Sequence, residues 1–459
     1  MSKQTKYDAF RQTFPKFVYE SYQYDVQPDG LHIVFTFRIA DDIVFRPTAF
    51  FPARRFLDMR QPRGTLDTLV FNIGMAELIS YWKCLCPPTV EVCCGHLAPS
   101  QIQFWKKLYF NGLGEFFYTN GIAASADDFL SIVSAPGSHK EHRPIDNGPA
   151  DDGGILVPIG GGKDSVVSLE LLQQATRPTP LIMNPRGATT NCVNAAGYAA
   201  EETLIIHRTI HPRLIELNAQ GCLNGHTPFS AMLAFYTLLA AQLSGKRSIA
   251  LSNESSANEA TVADTHINHQ YSKSLEFEND FRRYVAQHIS ASLDYFSFLR
   301  PLSELQIAML FSRHEKYFDI FRSCNVGSKQ DVWCAHCPKC LFAYIILAPF
   351  IPPQRINGIF GRCLLDDPSL LPFFHQLTGR AATKPFECVG TVEEVRCALS
   401  MTLDRWYPEH RPCLLADYPD TAPSTALDTL SSNHNVGRPL LDILAKAVAD
   451  ACGSQMQTS

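Results

Sequence analysis

The stretch from residue 155 to residue 170 constrains the fold more than any other part of the sequence. A short apolar run is followed by three glycines, by Lys, Asp and Ser, and then by the periodicity of an amphipathic helix. The apolar run predicts a buried strand, and the glycines predict a tight connection into the helix. Glycines let a backbone approach an anion closely, and the first turn of a helix offers free N–H groups. The stretch therefore predicts a phosphate-binding loop at the end of a strand.

Apolar runs and helical patterns alternate on both sides of this loop. Downstream, the patterns predict strands at 180–184, 204–208 and 248–252 and helices at 166–175, 195–203 and 229–244. Upstream, the patterns predict strands at 31–38 and 42–45 and helices at 73–85 and 100–110, and the period-2 runs there indicate an α+β unit. The downstream alternation of strands and helices is typical of a parallel sheet covered on both faces. The predicted fold class is therefore α/β, with helices on both faces of a parallel sheet.

Composition divides the chain into five predicted parts. Pro, Gly and polar residues concentrate between 134 and 154, and Ser, Thr, Asp and Pro concentrate after 416. Such stretches are typical of linkers and loops. The predicted parts are an α+β substrate-binding domain at 1–133, a linker at 134–154, an α/β domain around the glycines at 155–300, a helical extension at 301–415 and a poorly packed tail at 416–459.

Charge and hydropathy exclude two classes of partner. The 459 residues include 40 Lys and Arg against 45 Asp and Glu, a net charge of −5, which disfavours nucleic acids. Apolar stretches fall short of the ~18 residues that a membrane helix needs, and the first ten residues lack the apolar core of a signal peptide. We therefore expect a cytoplasmic protein without nucleic-acid or membrane partners.

The glycine loop, defined here as Gly160–Ser165, differs from two common nucleotide motifs. A Walker loop has Ser or Thr directly after its Lys, where this chain has Asp164, and a dinucleotide fingerprint has a third small residue where Ser165 stands. The loop instead resembles the Ser-Gly-Gly-x-Asp-Ser loop of the PP-loop ATP pyrophosphatases, with Gly160 in place of the first serine. The resemblance implies that ATP is bound by the residues Gly160, Gly161, Gly162, Lys163, Asp164 and Ser165. It also implies that Ser165 holds pyrophosphate and that Asp164 helps to place Mg²⁺.

Polar residues follow two of the predicted strands. Asn184 ends the second strand after the linker, and Asn253 and Glu254 follow a later one. Ligands of open α/β sheets bind outside the carboxyl ends of the strands. We expect Asn184 to border adenine, and Asn253 and Glu254 to contact ribose, phosphate or metal. The alternative is that these residues are solvated loop residues or helix caps.

Four cysteines follow at spacings that suit one metal ion. They are Cys324, Cys334, Cys337 and Cys340. Four thiolates bind Zn²⁺ tetrahedrally and leave no open position, so the predicted role is structural. An iron–sulfur cluster and unligated thiols are the alternatives. This cluster behind a PP-loop domain resembles that of 7-cyano-7-deazaguanine synthase.

Three segments resemble the MurL family of UDP-N-acetylmuramoyl-L-alanyl-L-glutamate epimerases. They lie at 71–77, 157–165 and 384–391, and with the cysteines the resemblance covers about residues 65–400. It implies ATP-dependent conversion of the terminal L-Glu of UDP-MurNAc-L-Ala-L-Glu to D-Glu in peptidoglycan precursor synthesis. The implied route is an acyl-adenylate, with release of AMP and diphosphate.

Inversion at Cα requires a proton acceptor and a proton donor on opposite faces. Glu387 and Cys388 are the candidate bases. Asp164 of the glycine loop is a third candidate catalytic residue, through its predicted role in placing Mg²⁺. Thr391 and Glu394 form a capping box, which predicts a helix that begins near residue 391. A thiol just before that helix has a lowered pKa. The alternatives are a surface ion pair for Glu387 and a small buried residue in a turn for Cys388.

Two polar residues of the first MurL-like segment are weaker candidates for the muramoyl-peptide pocket. Asn72 lies just before the predicted helix at 73–85, and Glu77 lies within it. A solvated helix face is the favoured interpretation of Glu77. Two other functions remain open: a PP-loop ligase that resembles 7-cyano-7-deazaguanine synthase or forms an amide, and a nucleotide sensor without catalysis.

Overall fold

The structure, a computed structural model, describes residues 2–54, 57–138, 140–145, 148, 154–262, 265–407, 409, 411–416, 418 and 427–456. The chain forms two compact units, each made of three stretches of sequence. Unit 1 comprises Met1–Leu156, Leu204–Ile249 and His266–Tyr295, and unit 2 comprises Val157–Thr203, Ala250–Thr265 and Phe296–Ser459. The five-part division of the chain stays a prediction.

The described residues form a mixed α/β structure with eleven strands and fifteen α-helices. The strands are β1 (Lys16–Gln27), β2 (Gly30–Ala40), β3 (Ile43–Phe45), β4 (Thr48–Pro52), β5 (Thr89–Val92), β6 (Ser131–Ser134), β7 (Ile155–Pro158), β8 (Thr179–Met183), β9 (Leu204–Arg208), β10 (Ser248–Leu251) and β11 (Asp294–Ser297).

The helices vary from 7 to 20 residues. They are α1 (Lys3–Thr13), α2 (Arg63–Trp82), α3 (Pro99–Gly112), α4 (Gly114–Asn120), α5 (Lys163–Leu172), α6 (Gly187–Ala195), α7 (Pro212–Ala219), α8 (Phe229–Ser244), α9 (Leu275–His288), α10 (Glu304–Phe311), α11 (Pro338–Leu347), α12 (Pro353–Phe360), α13 (Leu371–Leu377), α14 (Val392–Trp406) and α15 (Arg438–Met456). Among the helices described, none has both the length and the apolar character needed to cross a membrane.

Unit 1 contains a mixed sheet with the strand order β9-β4-β2-β1-β5-β6, and β3 pairs with β2 outside this order. β1 and β2 are antiparallel, whereas β1, β5 and β6 run parallel. Alternate residues of β2 from Leu31 to Ile39 are buried, as expected for a strand with one face on the core. Helix α2 is buried on nearly every side and packs against α8. The bounds predicted for α8 are confirmed.

Strand pairing places the glycine loop at a sheet edge. β10 pairs in parallel with β7, with Ser248 opposite Ile155 and Ile249 opposite Leu156. In unit 2 the Ile159 N–H donates to the Leu181 carbonyl, which continues the pairing toward β8. Parallel strands leave a sheet at the same edge, so the loops after β7 and β10 emerge together. The predicted strands at 155–159, 180–184 and 248–252 are confirmed to within one residue.

One predicted helix is displaced in the structure. The helix expected at 195–203 lies at Gly187–Ala195 instead, followed by a short 3₁₀ turn at Ala200–Glu202. The helix begins directly after the loop that ends β8, because Thr189 accepts from the Arg186 N–H and fixes its first turn. The apolar residues at 195–203 therefore belong to the helix end and the turn before β9.

Two regions predicted as loosely packed contain packed residues. In the linker, the His142 ring stacks on Phe71 with centroids 4.0 Å apart, and the Ile145 N–H donates to the Ile289 carbonyl over 2.6 Å. Most other residues of 146–153 lie outside the described part. In the tail, α15 buries Leu444, Val448 and Ala451. These three apolar residues recur at helical spacing after the Pro-rich stretch, and that periodicity explains the helix that the composition did not predict.

Candidate functional site

The glycine loop is fixed in unit 2 by a left-handed residue and a close backbone contact. Gly161 has φ +79°, and a Cβ at this position would meet the Ala188 carbonyl carbon and the Thr189 nitrogen at 2.9 Å. The Gly161 carbonyl accepts from the Arg322 N–H over 2.8 Å. A side chain does not fit at this position without movement of α6, so the loop requires glycine here.

The space beside Gly160 differs from that beside Gly161. A Cβ on Gly160 would find nothing within 4 Å, and the residue is exposed. Gly162 is the N-cap residue of α5, and Ser165 in the first turn donates its hydroxyl to the Gly162 carbonyl over 3.0 Å. The loop thus presents an open face, formed by the backbone at Gly160, at the N-terminus of α5. Backbone N–H groups at a helix N-terminus can bind anions, and phosphate binding by this loop stays a prediction.

Lys163 connects the loop to a second helix. Its side chain is 7% exposed, and its ammonium donates to both Asp164 and Glu304, the first residue of α10. The Glu304 N–H in turn donates to the Glu394 carboxylate over 2.7 Å. The Asp164 side chain is 33% exposed. Lys163 is therefore occupied by carboxylates inside the protein, whereas Asp164 faces solvent beside the loop.

This network has more carboxylates than one lysine can neutralise. Burial raises the pKa of Glu304 to about 8, Lys163 opposes the rise, and the Asp164, Glu254 and Glu394 carboxylates add to it. Burial opposes the charged form of Lys163, but Asp164 and Glu304 raise its pKa above the ordinary value. We name Lys163, Asp164, Glu254, Glu304 and Glu394 the carboxylate network. Its composition favours an additional cation or a retained proton.

The candidate residues that follow β10 and β8 lie in different surroundings. Asn253 donates its amide to the Ser297 hydroxyl over 3.0 Å, and the Glu254 carbonyl accepts from the buried Arg300 guanidinium. Asn184 is exposed, with φ 52°, directly after β8. Glu254 thus lies beside Glu304, whereas Asn184 lies three residues before α6, which packs on Gly161.

The segment at 384–391 approaches the same network. The Lys384 N–H donates to the Thr261 carbonyl over 3.0 Å, and its ammonium pairs with Glu259. A Cβ on Gly390 would lie 3.1 Å from Cγ of Glu304. The glycine loop and this segment, which are 221 positions apart from Lys163 to Lys384, therefore meet at Glu304.

The two candidate bases lie on this segment. Glu387 is partly exposed and accepts from the Asn325 amide over 2.6 Å, which places it beside the cysteine cluster. Cys388 is partly buried, three residues before Thr391. Thr391 is the N-cap of α14, and its capping box with Glu394 is confirmed. Cys388 therefore precedes a helix start, as the sequence predicts.

The four cysteines of unit 2 converge. Their Sγ atoms all lie within 4.8 Å of one another, with Cys324 to Cys337 at 3.8 Å, Cys334 to Cys340 at 3.6 Å and Cys337 to Cys340 at 3.5 Å. Disulfide sulfurs are ~2.05 Å apart, so these are thiols. Zinc–thiolate bonds of ~2.3 Å in a tetrahedron separate sulfurs by roughly 3.8 Å. The spacing fits a single zinc ion, and the N–H groups of Gly327 and Cys340 already donate to two of the sulfurs.

The interpretation of Glu77 as a solvated residue is wrong. Glu77 is fully buried in α2 and receives both the Arg208 guanidinium, with Nη2 at 2.7 Å, and the Tyr236 hydroxyl at 2.8 Å. Asn72 lies inside α2 rather than before it, and its side chain joins Thr68 and Tyr284. The helix begins at Arg63, ten residues earlier than predicted, because polar Thr and Asp in its first turns do not interrupt it.

Glu304 and Arg322 are site residues that sequence reasoning missed. Glu304 follows Ser303, which forms a capping box with Gln306, so the sequence signals a helix start there but not a partner for Lys163. Arg322 acts through its backbone, which carries no signal in the sequence. Both residues come near the loop through tertiary folding over more than 100 positions.

The fold and the site define a mixed α/β protein with a glycine loop at a strand end and a four-cysteine cluster. The model of the MurL N-terminal domain matches residues 9–298, and that of the MurL C-terminal domain matches residues 320–429. The chain belongs to the MurL family.

Three curated relatives carry the name UDP-N-acetyl-alpha-D-muramoyl-L-alanyl-L-glutamate epimerase. The relative from Salinispora tropica is 38% identical over 378 residues, which cover 81% of this chain and 80% of the relative. The relative from a Micromonospora species is 36% identical over 397 residues, which cover 83% of this chain and 87% of the relative. The relative from Xanthomonas oryzae pv. oryzae is 36% identical over 338 residues, which cover 71% of this chain and 72% of the relative. No solved structure matches the chain significantly.

Proposed function

We propose that this member of the MurL family epimerises the terminal L-glutamate of UDP-N-acetylmuramoyl-L-alanyl-L-glutamate in an ATP-dependent reaction, for the synthesis of peptidoglycan precursors. The reaction and the substrate are those named for the three relatives. The observation that supports the ATP dependence is that Glu304 contacts the glycine loop through Lys163, Gly390 of the 384–391 segment, and Glu394 of α14. This contact puts a phosphate-binding geometry and two candidate bases on one unit.

Activation of the α-carboxylate is the chemical reason for the use of ATP. Removal of the Cα proton next to a free carboxylate would create a dianion, and adenylation removes that negative charge. A carboxylate oxygen attacks the α-phosphorus of ATP, the bond to the β-phosphate breaks, and diphosphate leaves. After the Cα proton has been exchanged across the two faces, water cleaves the acyl-adenylate to the D-glutamyl product and AMP.

The glycine loop holds the phosphates in this proposal. The backbone at Gly160 is open, and the N-terminus of α5 supplies donors and a positive dipole end. Mg²⁺, when bound, neutralises charge on the phosphates. Asp164 is the proposed ligand because its carboxylate is exposed, whereas Lys163 is buried and acts by holding Asp164 in place. Ser165 has to turn its hydroxyl away from the Gly162 carbonyl to contact diphosphate.

Glu387 and Cys388 are the proposed acceptor and donor of the Cα proton. The two residues are adjacent in a bend before α14, and inversion requires that one of them reaches each face of the Cα carbon. The Asn325 amide orients the Glu387 carboxylate. The helix start at Thr391 favours the thiolate of Cys388.

Zinc in the four-cysteine cluster has a structural role in this proposal. Cys324 follows Arg322 and Ser323, which lie against Gly161 and Gly162, and Cys337 is the N-cap of α11. A closed four-thiolate site stabilises the connection between these elements and offers no position to a substrate.

The test measures adenylation and Cα exchange separately. The full chain is incubated in D₂O with the muramoyl dipeptide, ATP and Mg²⁺, and AMP, deuterium at Cα and the chirality of released glutamate are measured. We expect AMP, deuterium and D-glutamate from the wild type. Cys388→Ala should form AMP but lose deuterium incorporation, and Cys413→Ala, an exposed cysteine of the same unit, should behave as wild type.

The outcomes distinguish the proposal from the two alternative functions. AMP with only L-glutamate would contradict epimerisation and favour a ligase, and ATP binding without diphosphate release would favour a sensor. Deuterium incorporation retained in both Cys388→Ala and Glu387→Gln would place the bases elsewhere.

A further inference from the structure

Unit 1 contains a second group of metal-ligating side chains, far in sequence from the cysteines. Glu115, His226 and His269 each offer one ligand atom, and these atoms lie within 4.8 Å of one another. Nδ1 of His226 and Nδ1 of His269 lie 3.5 Å and 2.5 Å from the same Glu115 oxygen, Oε2. The two imidazole rings have centroids 4.4 Å apart. Three donors from three separate segments thus converge on one point.

We propose that Glu115, His226 and His269 form a zinc site with an open fourth position. Two imidazoles and one carboxylate are the donor set of zinc sites that retain a water molecule. Zinc bonds of ~2.0–2.1 Å in a tetrahedron separate donor atoms by roughly 3.3 Å, which is close to the 3.5 Å between His226 and Glu115. Entry of the ion replaces the hydrogen bond between His269 and Glu115 and lengthens that distance from 2.5 Å.

The surrounding residues hold the three ligands in place. A Cβ on Gly225 would lie 3.0 Å from the Phe116 ring, and the Asn120 amide donates to the Asn224 carbonyl over 3.1 Å, so the His226 loop rests on the helix that carries Glu115. On the other side, Ile267 lies 3.7 Å from where a Cβ of Gly114 would be. These contacts position the ligands before any ion arrives, which is the condition for a specific site.

The exposure of the ligands indicates an open site rather than a closed one. The side chains of His269, Glu115 and His226 are 11%, 16% and 22% exposed. Solvent therefore reaches the edge of the cluster, and a water molecule or an anionic oxygen can complete the coordination. The four-cysteine cluster of unit 2 has no such place, so the two sites differ in chemical role.

The experiment counts metal ions in the full-length chain and identifies their ligands. The chain is stripped with a chelator and titrated with Co²⁺, followed by absorption spectroscopy, and with Zn²⁺, followed by elemental analysis after gel filtration. Cobalt on thiolates has a sulfur-to-cobalt charge-transfer band, whereas cobalt on His and Glu has only weaker d–d bands. We expect the wild type to bind one equivalent of metal ion that lacks the charge-transfer band. The variants His226→Ala, His269→Ala and Glu115→Gln should each lose this equivalent.

A matched control removes another histidine–carboxylate pair of unit 1. His32 lies 2.9 Å from Asp29 and lacks a third ligand in any described metal-ligating group, so His32→Ala should keep the equivalent. Circular dichroism shows which variants are folded. If a histidine variant does not fold, Glu115→Gln still tests the site, because it keeps the shape of the side chain. Absence of the equivalent from the wild type, or its presence in folded Glu115→Gln, would overturn the proposal.

Discussion

Two buried ionic clusters, one in each unit, differ in how their charges balance. In unit 1, two guanidinium nitrogens of Arg208 and the Tyr236 hydroxyl donate to the Glu77 carboxylate. The Arg208 side chain is 8% exposed and that of Glu77 is 0% exposed. In unit 2, Lys163 meets two carboxylates, and one of them is 33% exposed. The first cluster is matched and closed, whereas the second carries excess negative charge and opens toward the glycine loop.

The difference separates structural from functional burial of charge. A matched pair keeps both of its ions charged, so the Glu77–Arg208 pair holds α2 and β9 together. In the second cluster, burial together with the neighbouring carboxylates raises the pKa of Glu304, which favours a retained proton or a nearby cation. Functional sites are enriched in such groups. Similar residue types thus have different roles because of the groups that surround them.

The largest effect is expected when the matched cluster is broken. Glu77→Leu leaves Arg208 buried without its carboxylate and should lower the free energy of unfolding by about 3–5 kcal/mol. Chemical denaturation measures this loss. The triple variant Glu77→Leu, Arg208→Met, Tyr236→Phe removes all the polar partners and should recover most of it. A stable single variant would contradict the description of this cluster as closed.

The second prediction concerns the open cluster. Asp164→Asn keeps the shape of the side chain but removes the exposed negative charge, and it should lower the rate of AMP formation about 100-fold, or ~2.7 kcal/mol of barrier. The thermal midpoint should change little because the carboxylate is at the surface of the network. Equal rates in variant and wild type would remove Asp164 from the proposed magnesium site.

A third, smaller effect compares neighbouring glycines. Gly161→Ala places a side chain in a left-handed conformation against α6. It should lower the free energy of unfolding by about 2 kcal/mol and should also abolish AMP formation. Gly160→Ala meets open space, so denaturation should detect no loss of stability. The reverse order of the two variants would mean that the loop has a different conformation in solution.

The smallest effect, when it is counted per pH unit, is a pH dependence of the free energy of unfolding. The pKa of Glu304 rises from an ordinary value of 4.5 to about 8 in the folded chain, so the folded state retains a proton that the unfolded state has lost. The stabilisation is complete below pH 4.5 and is lost as the pH rises through 8, by at most about 1.4 kcal/mol per pH unit. Denaturation of the wild type between those pH values should show this slope, and Glu304→Gln should reduce it. Identical slopes would argue against a raised pKa.

Local features of the site were predictable from the sequence. The glycine loop lies between a strand and a helix as expected, α8 has its predicted bounds, and the capping box of Thr391 and Glu394 forms. Each of these features depends on neighbours within a few positions. Steric limits at glycine, helical periodicity and capping act over that range, so they leave a pattern that can be read directly.

Long-range partners were not predictable. Glu77 meets Arg208 at a distance of 131 positions, and Lys163 meets Glu304 at a distance of 141 positions. The charged residues of a helix usually face water, so only the tertiary fold reveals that a particular carboxylate is enclosed. The same limit applies to Glu115, His226 and His269, which no local spacing connects.

The interleaving of the two units has a consequence for synthesis of the protein on the ribosome. Unit 1 takes its last stretch from His266–Tyr295, after the chain has already contributed two stretches to unit 2. A nascent chain that ends at Leu156 lacks α8, the helix that covers α2. Such a chain exposes an apolar helix until 88 more residues have left the exit tunnel, and N-terminal fragments of this length should therefore require a chaperone.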